Sequence, residues 1–303
     1  MSEKTLRICH LYPDLLNLYG DRGNILCMRR RLEWRGIDAE VTEVTVGQQA
    51  DFTQFDLFFI GGGQDFEQEV LLSDLKAGKG SEIKAAIADG KTFLTICGGY
   101  QMLGSYYRTW DGKQCDFIGA IDYYTVGSKE RMIGNFLFEC LPESGGSTVV
   151  GFENHSGKTY LGSGVSPLGK MLVGGGNNGE DGYEGVRYQN VFGTYSHGPV
   201  LPKNPAFCDH LLTTALQQRY PELELAPLDD AAELAAAVFI EQNTRHALEV
   251  ILPAGDEEAA LFRRLLQQLE AVARGVRAEL VALLHRVGIK LCEPEHEVCR
   301  QRL

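Results

Sequence analysis

A short apolar run, Leu94-Thr95-Ile96, leads directly into Cys97-Gly98-Gly99 and then into Tyr100-Gln101-Met102-Leu103, which has helical spacing. A cysteine at a sharp strand-to-helix turn has the outline of a nucleophile elbow. There it faces the free N–H groups and positive dipole end of the following helix, which favour thiolate over thiol, and the thiolate is the reactive form. Gly98 lets a substrate carbonyl approach the backbone closely, and its N–H is a candidate oxyanion donor. Such a nucleophile needs a base that can also return a proton to the leaving group. Of the seven histidines, His197 is the best placed, closing Val191-Phe192-Gly193-Thr194-Tyr195-Ser196-His197 just before Gly198-Pro199. His155, in Phe152-Glu153-Asn154-His155-Ser156-Gly157, competes for the role. The plainer reading is a buried thiol at a strand end and histidines that only fill space.

A second glycine cluster, Gly61-Gly62-Gly63, follows the apolar run Asp56-Leu57-Phe58-Phe59-Ile60. In an open α/β sheet it would share the carboxyl edge with Cys97, where active sites of such sheets form. The N–H of Gly62 is then a second oxyanion donor. Neither this cluster nor Gly174-Gly175-Gly176 fits a phosphate-binding loop pattern, which argues against a nucleotide site on this chain. The stretch from Asn177 to Glu184 carries carboxylates and amides but lacks calcium-loop spacing, and a turn is the simpler reading. Near the C-terminus Cys292, His296 and Cys299, with His285 upstream, are too irregularly spaced for a recognisable zinc site, so no metal is expected.

These residues must be held by a scaffold, and the chain is long enough to supply one, at 303 residues with 44% apolar and 23% charged side chains. That composition is that of a globular protein. Apolar runs at Leu6–Tyr12, Asp56–Ile60 and Lys91–Ile96 read as buried parallel strands, with helix-like stretches at Gly23–Trp34 and Glu82–Ala88 between them. The expected fold class is therefore α/β, a mostly parallel sheet flanked by helices. From Phe117 to about His197 the pattern shifts to strands separated by glycine clusters (Phe117–Val126, Arg131–Cys140, Tyr183–Tyr195), and Pro205–Tyr220 reads as a helix.

Past Pro253 the text turns rich in Ala, Leu, Arg and Glu, so the expected organisation is one domain over 1–252 and a helical extension over 253–303. Leu261, Leu265, Leu269, Val272, Val276, Leu280, Leu283 and Val287 share one helix face. Acidic and basic residues balance beyond Gly255, so the net charge of -12 sits on the first 255 residues. That charge repels a phosphate backbone and argues against nucleic acid as a partner. No targeting segment and no run of eighteen apolar residues is visible, so a cytoplasmic protein that does not span a membrane is expected. With no secretion signal, the eight cysteines read as buried thiols plus one nucleophile.

Ile96-Cys97-Gly98-Gly99-Tyr100-Gln101, joined with Gly193-Thr194-Tyr195-Ser196-His197-Gly198-Pro199, resembles the class I glutamine amidotransferases of the cobyric-acid-synthase-like group. The stretches Leu11 to Asn24, Phe152 to Gly157 and Gly176 to Gly182 narrow the resemblance to glutaminase subunits of the lipid II isoglutaminyl synthase type, over roughly residues 6–245. The resemblance implies a subunit that hydrolyses L-glutamine and hands ammonia to a Mur-ligase-like synthetase partner in a heterodimer. That partner uses ATP and Mg²⁺ to amidate the D-glutamate α-carboxyl of the lipid II stem peptide, in peptidoglycan synthesis. No cofactor is expected on this chain. By similarity Cys97 is the nucleophile, His197 its base, Arg131 the residue gripping the substrate glutamine, and Gln101 a pocket contact.

One departure is chemical. Triad amidotransferases place a Glu two residues beyond the His, and here that position is Pro199. The expectation is that the partner supplies an acidic residue and thereby switches hydrolysis on. The other departure is the extension after about Leu252, which the family pattern does not cover. Three alternatives stand beside this reading: a cobyric-acid-type amidotransferase, a catalytically silent regulatory subunit of a synthetase, and a Ser-hydrolase-like enzyme with Cys as nucleophile. The last is weakened because Thr95 replaces the first Gly of G-x-S-x-G.

Overall fold

The apolar runs become neighbouring strands. In the computed structural model, which describes residues 4–17, 20–63 and 71–251, strands β1 (Thr5–Leu11), β2 (Asp38–Val44), β3 (Leu57–Ile60) and β4 (Thr92–Ile96) join β11 (Val186–Tyr188) and β12 (Val191–Thr194) in one six-stranded sheet. Its order is β11-β12-β4-β3-β1-β2, parallel except for the antiparallel β11–β12 pair. Every residue of β3, β4 and β12 is buried. Strands covered on both faces need apolar side chains at every position, which is why they read as unbroken apolar runs. Edge strand β2 instead alternates and carries Asp38, Glu40 and Glu43, charges that discourage edge-to-edge pairing.

Helices α1 (Arg22–Glu33), α2 (Gly80–Ala88), α3 (Gly98–Met102), α4 (Pro205–Gln217) and α5 (Ala231–Ile251) accompany the sheets. Helix α4 buries Phe207, Cys208, Leu211, Leu212, Ala215 and Leu216, the stripe that a period of 3.6 residues puts on one face. Pro205 opens it, where the missing N–H costs no hydrogen bond.

A second sheet follows α3 in the chain. It contains β5 (Tyr106–Arg108), β6 (Gln114–Asp116), β7 (Tyr123–Cys140), β9 (Gly169–Val173) and β10 (Tyr183–Glu184) in the order β10-β9-β7-β5-β6, with β8 (Thr148–Leu161) antiparallel to β7. Three expectations are corrected here. The strand expected from Phe117 starts at Tyr123, because the N–H groups of Phe117, Ile118, Gly119 and Ala120 turn back to the carbonyls of Ser105, Met102, Gly104 and Leu103. The expected gap between Val126 and Arg131 is an irregularity inside one strand, where the β7–β8 register shifts between Gly127 and Met132. The run Tyr183–Tyr195 is three short strands, broken first at Gly185, whose φ of +63° suits glycine and whose Cα faces the Gly193 carbonyl too closely for a side chain.

The chain divides into two units, Met1–Arg245 and His246–Leu303. The amphipathic stretch 261–287 and the Cys292/His296/Cys299 cluster lie outside the described residues. Among the described residues no helix is long and apolar enough to cross a membrane.

Candidate active site

Cys97 sits between β4 and α3 with φ +48° and ψ −106°. A side chain in that region is strained by roughly 1–3 kcal/mol, and neighbouring contacts must hold it there. The Cys97 N–H donates to the Thr194 carbonyl of β12 at 2.8 Å, and the Cys97 carbonyl accepts from the Gln101 N–H at 2.8 Å. Gly99 lets the turn close: a Cβ there would lie 2.7 Å from the Gly61 carbonyl oxygen. The elbow foreseen in the sequence is therefore built by packing the Cys97 turn onto the Gly61-Gly62-Gly63 turn that follows β3.

His197 lies three residues beyond β12, fully buried. Its N–H donates to the Phe152 carbonyl of β8 at 2.9 Å, and Lys203 Nζ donates to its carbonyl at 3.2 Å. The register Thr194↔Ile96 and Ile60↔Thr95 brings the ends of β12, β4 and β3 to one edge of the sheet. There the imidazole pairs with Cys97. Burial alone would lower the imidazole's proton affinity, but neighbouring Cys97 and Asp21 outweigh it and hold the His197 pKa up at about 10.

Asp21 is the residue that sequence reasoning missed. It is completely buried just before α1, with Oδ1 3.7 Å from His197 Nδ1. Its Oδ2 accepts the Gly62 N–H at 2.7 Å. A carboxylate of this chain thus stands beside the imidazole, and it holds the Gly62 N–H. Pro199 at the usual carboxylate position poses the question of where an acid comes from, but no local pattern in the sequence points to Asp21.

The other expected residues take different places. Gln101 is buried and its Nε2 donates to the Tyr195 hydroxyl at 3.1 Å. That hydroxyl is also hydrogen-bonded to Thr159, which pairs with Thr125, so Gln101 belongs to an internal polar network behind Cys97. Arg131 is exposed on β7, its guanidinium donating to the side chain and, at 3.2 Å, to the carbonyl of Asn154. Gly98 opens α3. His155 stacks flat on Tyr195 at 3.6 Å, its Nδ1 bonds the Gly157 carbonyl at 2.8 Å, and its Nε2 lies 3.7 Å from Glu153. In the 177–184 loop Asn178 caps its own turn and binds Asp181 at 2.7 Å, while Glu180 pairs with Lys158. Asn178 and Asp181 thus hold each other, and Glu180 is taken up by a lysine of β8.

A cysteine at positive φ, a buried imidazole and a buried carboxylate beside it are groups that can supply a nucleophile, a base and an orienter. Residues 7–205 match the CobB/CobQ-like glutamine amidotransferase domain. The chain belongs to that family. It is 42% identical over 241 residues to the lipid II isoglutaminyl synthase (glutamine-hydrolyzing) subunit GatD of Staphylococcus aureus, covering 79% of this chain and 97% of that one. The GatD subunit of Streptococcus pneumoniae is 41% identical over 227 residues, 74% of this chain and 86% of its own. A cobyric acid synthase of Clostridium botulinum is 32% identical over 162 residues, half of this chain and 32% of its own. The fold is that of a class I glutamine amidotransferase, and glutamine amidotransferase activity is the activity of this family.

Proposed function

We propose that the chain is the glutaminase subunit of a lipid II-amidating synthetase and works through a Cys97 thioester. The observation that carries this reading is the pairing of Cys97, strained at the end of β4, with the buried and charged His197. Cys97 Sγ attacks the side-chain carboxamide carbon of L-glutamine. The C–N bond breaks as His197 gives its proton to the departing nitrogen, and ammonia leaves. Water, deprotonated by His197, then attacks the γ-glutamyl thioester and releases L-glutamate, restoring thiolate and imidazolium. The Gly98 N–H faces the developing oxyanion. Arg131 engages the α-carboxylate of glutamine, a task suited to a guanidinium fork.

The ammonia passes to a Mur-ligase-like partner that uses ATP and Mg²⁺ to amidate the D-glutamate α-carboxyl of lipid II, in the cytoplasm. Identity to the two GatD subunits over most of both chains supports this pathway. The test supplies glutamine labelled with ¹⁵N in the side-chain amide, ATP and a lipid II acceptor to the chain co-purified with its synthetase. The label should enter the stem peptide. With Cys97→Ala it should not, although free ammonia should still be used. Transfer from glutamine by the Cys97→Ala complex, or no transfer by the parent complex, would overturn the reading.

A further inference from the structure

We propose that Cys27 and Cys208 form a second reactive thiol site, which a hydroperoxide closes into a reversible disulfide between α1 and α4. Their sulfurs lie 4.0 Å apart although the residues are 181 positions apart in the chain, and both thiols are free. A disulfide brings sulfurs to about 2.05 Å, so rotation of the two side chains and a small approach of the helices must take up about 2 Å. Cys27 is half-buried and open to a small oxidant, whereas Cys208 is completely buried.

The two thiols differ in the way such a pair requires. The contact with Cys208 and the nearby Arg31 guanidinium hold the Cys27 thiol below its ordinary range, against burial and the carboxylates of Asp209 and Glu233. The same contact, with burial, pushes the Cys208 thiol well up. Cys27 is therefore the thiolate that attacks and Cys208 the thiol that resolves. Cys27 Sγ attacks one oxygen of the hydroperoxide, the O–O bond breaks, and the other oxygen takes up a proton and leaves as water or an alcohol. Cys208 Sγ then attacks the sulfenic acid sulfur of Cys27, the S–O bond breaks, and the departing hydroxide takes the Cys208 proton to form water. Two thiols are oxidised and one peroxide is reduced, and a dithiol reverses the bond by exchange. Cys9 and Cys140 do not compete, because burial pushes both thiols up, that of Cys140 to about 12.

The bond joins the two helices that hold the loop carrying His197, one turn beyond the contacts each makes with it. On α1, Gly23 packs on Pro199, where a Cβ would lie 2.4 Å from Pro199 Cγ, and Asn24 Oδ1 accepts the Leu201 N–H at 2.9 Å. On α4, the Cys208 N–H donates to the Asn204 carbonyl at 3.0 Å.

The test uses the full chain carrying Cys97→Ala, so that the active-site thiol takes no part, and it does not depend on the glutaminase reading. Hydrogen peroxide is added in small excess, remaining thiols are alkylated, and peptides are read by mass spectrometry. A Cys27–Cys208 disulfide should form at least about tenfold faster than any other pair and disappear with dithiothreitol. The crosslinked chain should melt about 5 °C or more above the reduced one, because the bond closes a long loop. In Cys208→Ser, dimedone should trap Cys27 as its sulfenic acid, and in Cys27→Ser, Cys208 should stay a free thiol. Cys27 left unoxidised, a disulfide from Cys27 to another cysteine, or a crosslinked chain that melts like the reduced one would overturn the proposal.

Discussion

Gly62 and His197 approach so closely that a methyl group on the glycine would sit 2.6 Å from Cε1 of the imidazole. The same methyl would lie 3.2 Å from Asp21 Oδ2 and 3.3 Å from Cys97 Cβ, so one backbone position separates all three members of the site. Gly62→Ala should displace the base by a fraction of an ångström, lowering kcat about 100-fold while costing only about 1–3 kcal/mol of stability. Steady-state rates beside thermal melts check this. A fully active Gly62→Ala protein would mean that His197 is free to shift without consequence.

Glu184 is fully buried, its Oε1 accepting from Thr194 Oγ1 at 2.6 Å and from the Tyr195 N–H at 2.7 Å. Burial pushes its carboxyl up to about 7 from 4.5, against those hydrogen bonds. A raised pKa contributes stability that is complete below the unfolded value and is lost as pH rises through the folded one. The window is therefore about pH 4.5 to 7. Glu184→Gln removes the titration and keeps an acceptor. Relative to the parent, its unfolding free energy should improve by about 3 kcal/mol across that window. Denaturant melts at pH 4.5 and pH 7.5 measure it, and parallel curves for the two proteins would contradict it.

Arg31 on α1 is 3% exposed and meets Asp209 at 2.7 Å and Asp230 at 2.6 Å, tying α1 to α4 and to the start of α5. Replacing it by Ala strands two carboxylates beside Arg35, and the expected loss is about 3–5 kcal/mol in denaturant melts. Arg31→Ala melting like the parent would show that water already shields the cluster.

Arg131 is held by Asn154 on the neighbouring strand. If it grips the α-carboxylate of glutamine, Arg131→Ala should raise KM about tenfold or more with kcat little changed, and Arg131→Lys should not restore it, because a lysine cannot form the two-pronged contact. Unchanged KM in initial-rate kinetics would remove Arg131 from the binding site.

How much of this was legible depended on distance along the chain. Strands β3 and β4 and the Cys97 turn could be read because unbroken apolar runs stopped by glycine have few other meanings, and His197 followed from the same logic on β12. The β7–β8 hairpin was read only in pieces, because glycine inside a strand looks like a loop until the partner strand shows the register shift. Asp21 was illegible for a different reason. It lies 176 residues before His197, and nothing local distinguishes it from a helix N-terminal aspartate on the surface. Only tertiary packing of Gly23 on Pro199 brings it to the base.

The most direct test of the central claim is release of ammonia and glutamate from L-glutamine by the chain in complex with its synthetase subunit, with Cys97→Ala and His197→Ala as comparisons. The account predicts stoichiometric release by the parent, none above background from either variant, and a glutamyl adduct recoverable on Cys97 after acid quench. Glutamine hydrolysis that survives loss of the Cys97 thiol would contradict it.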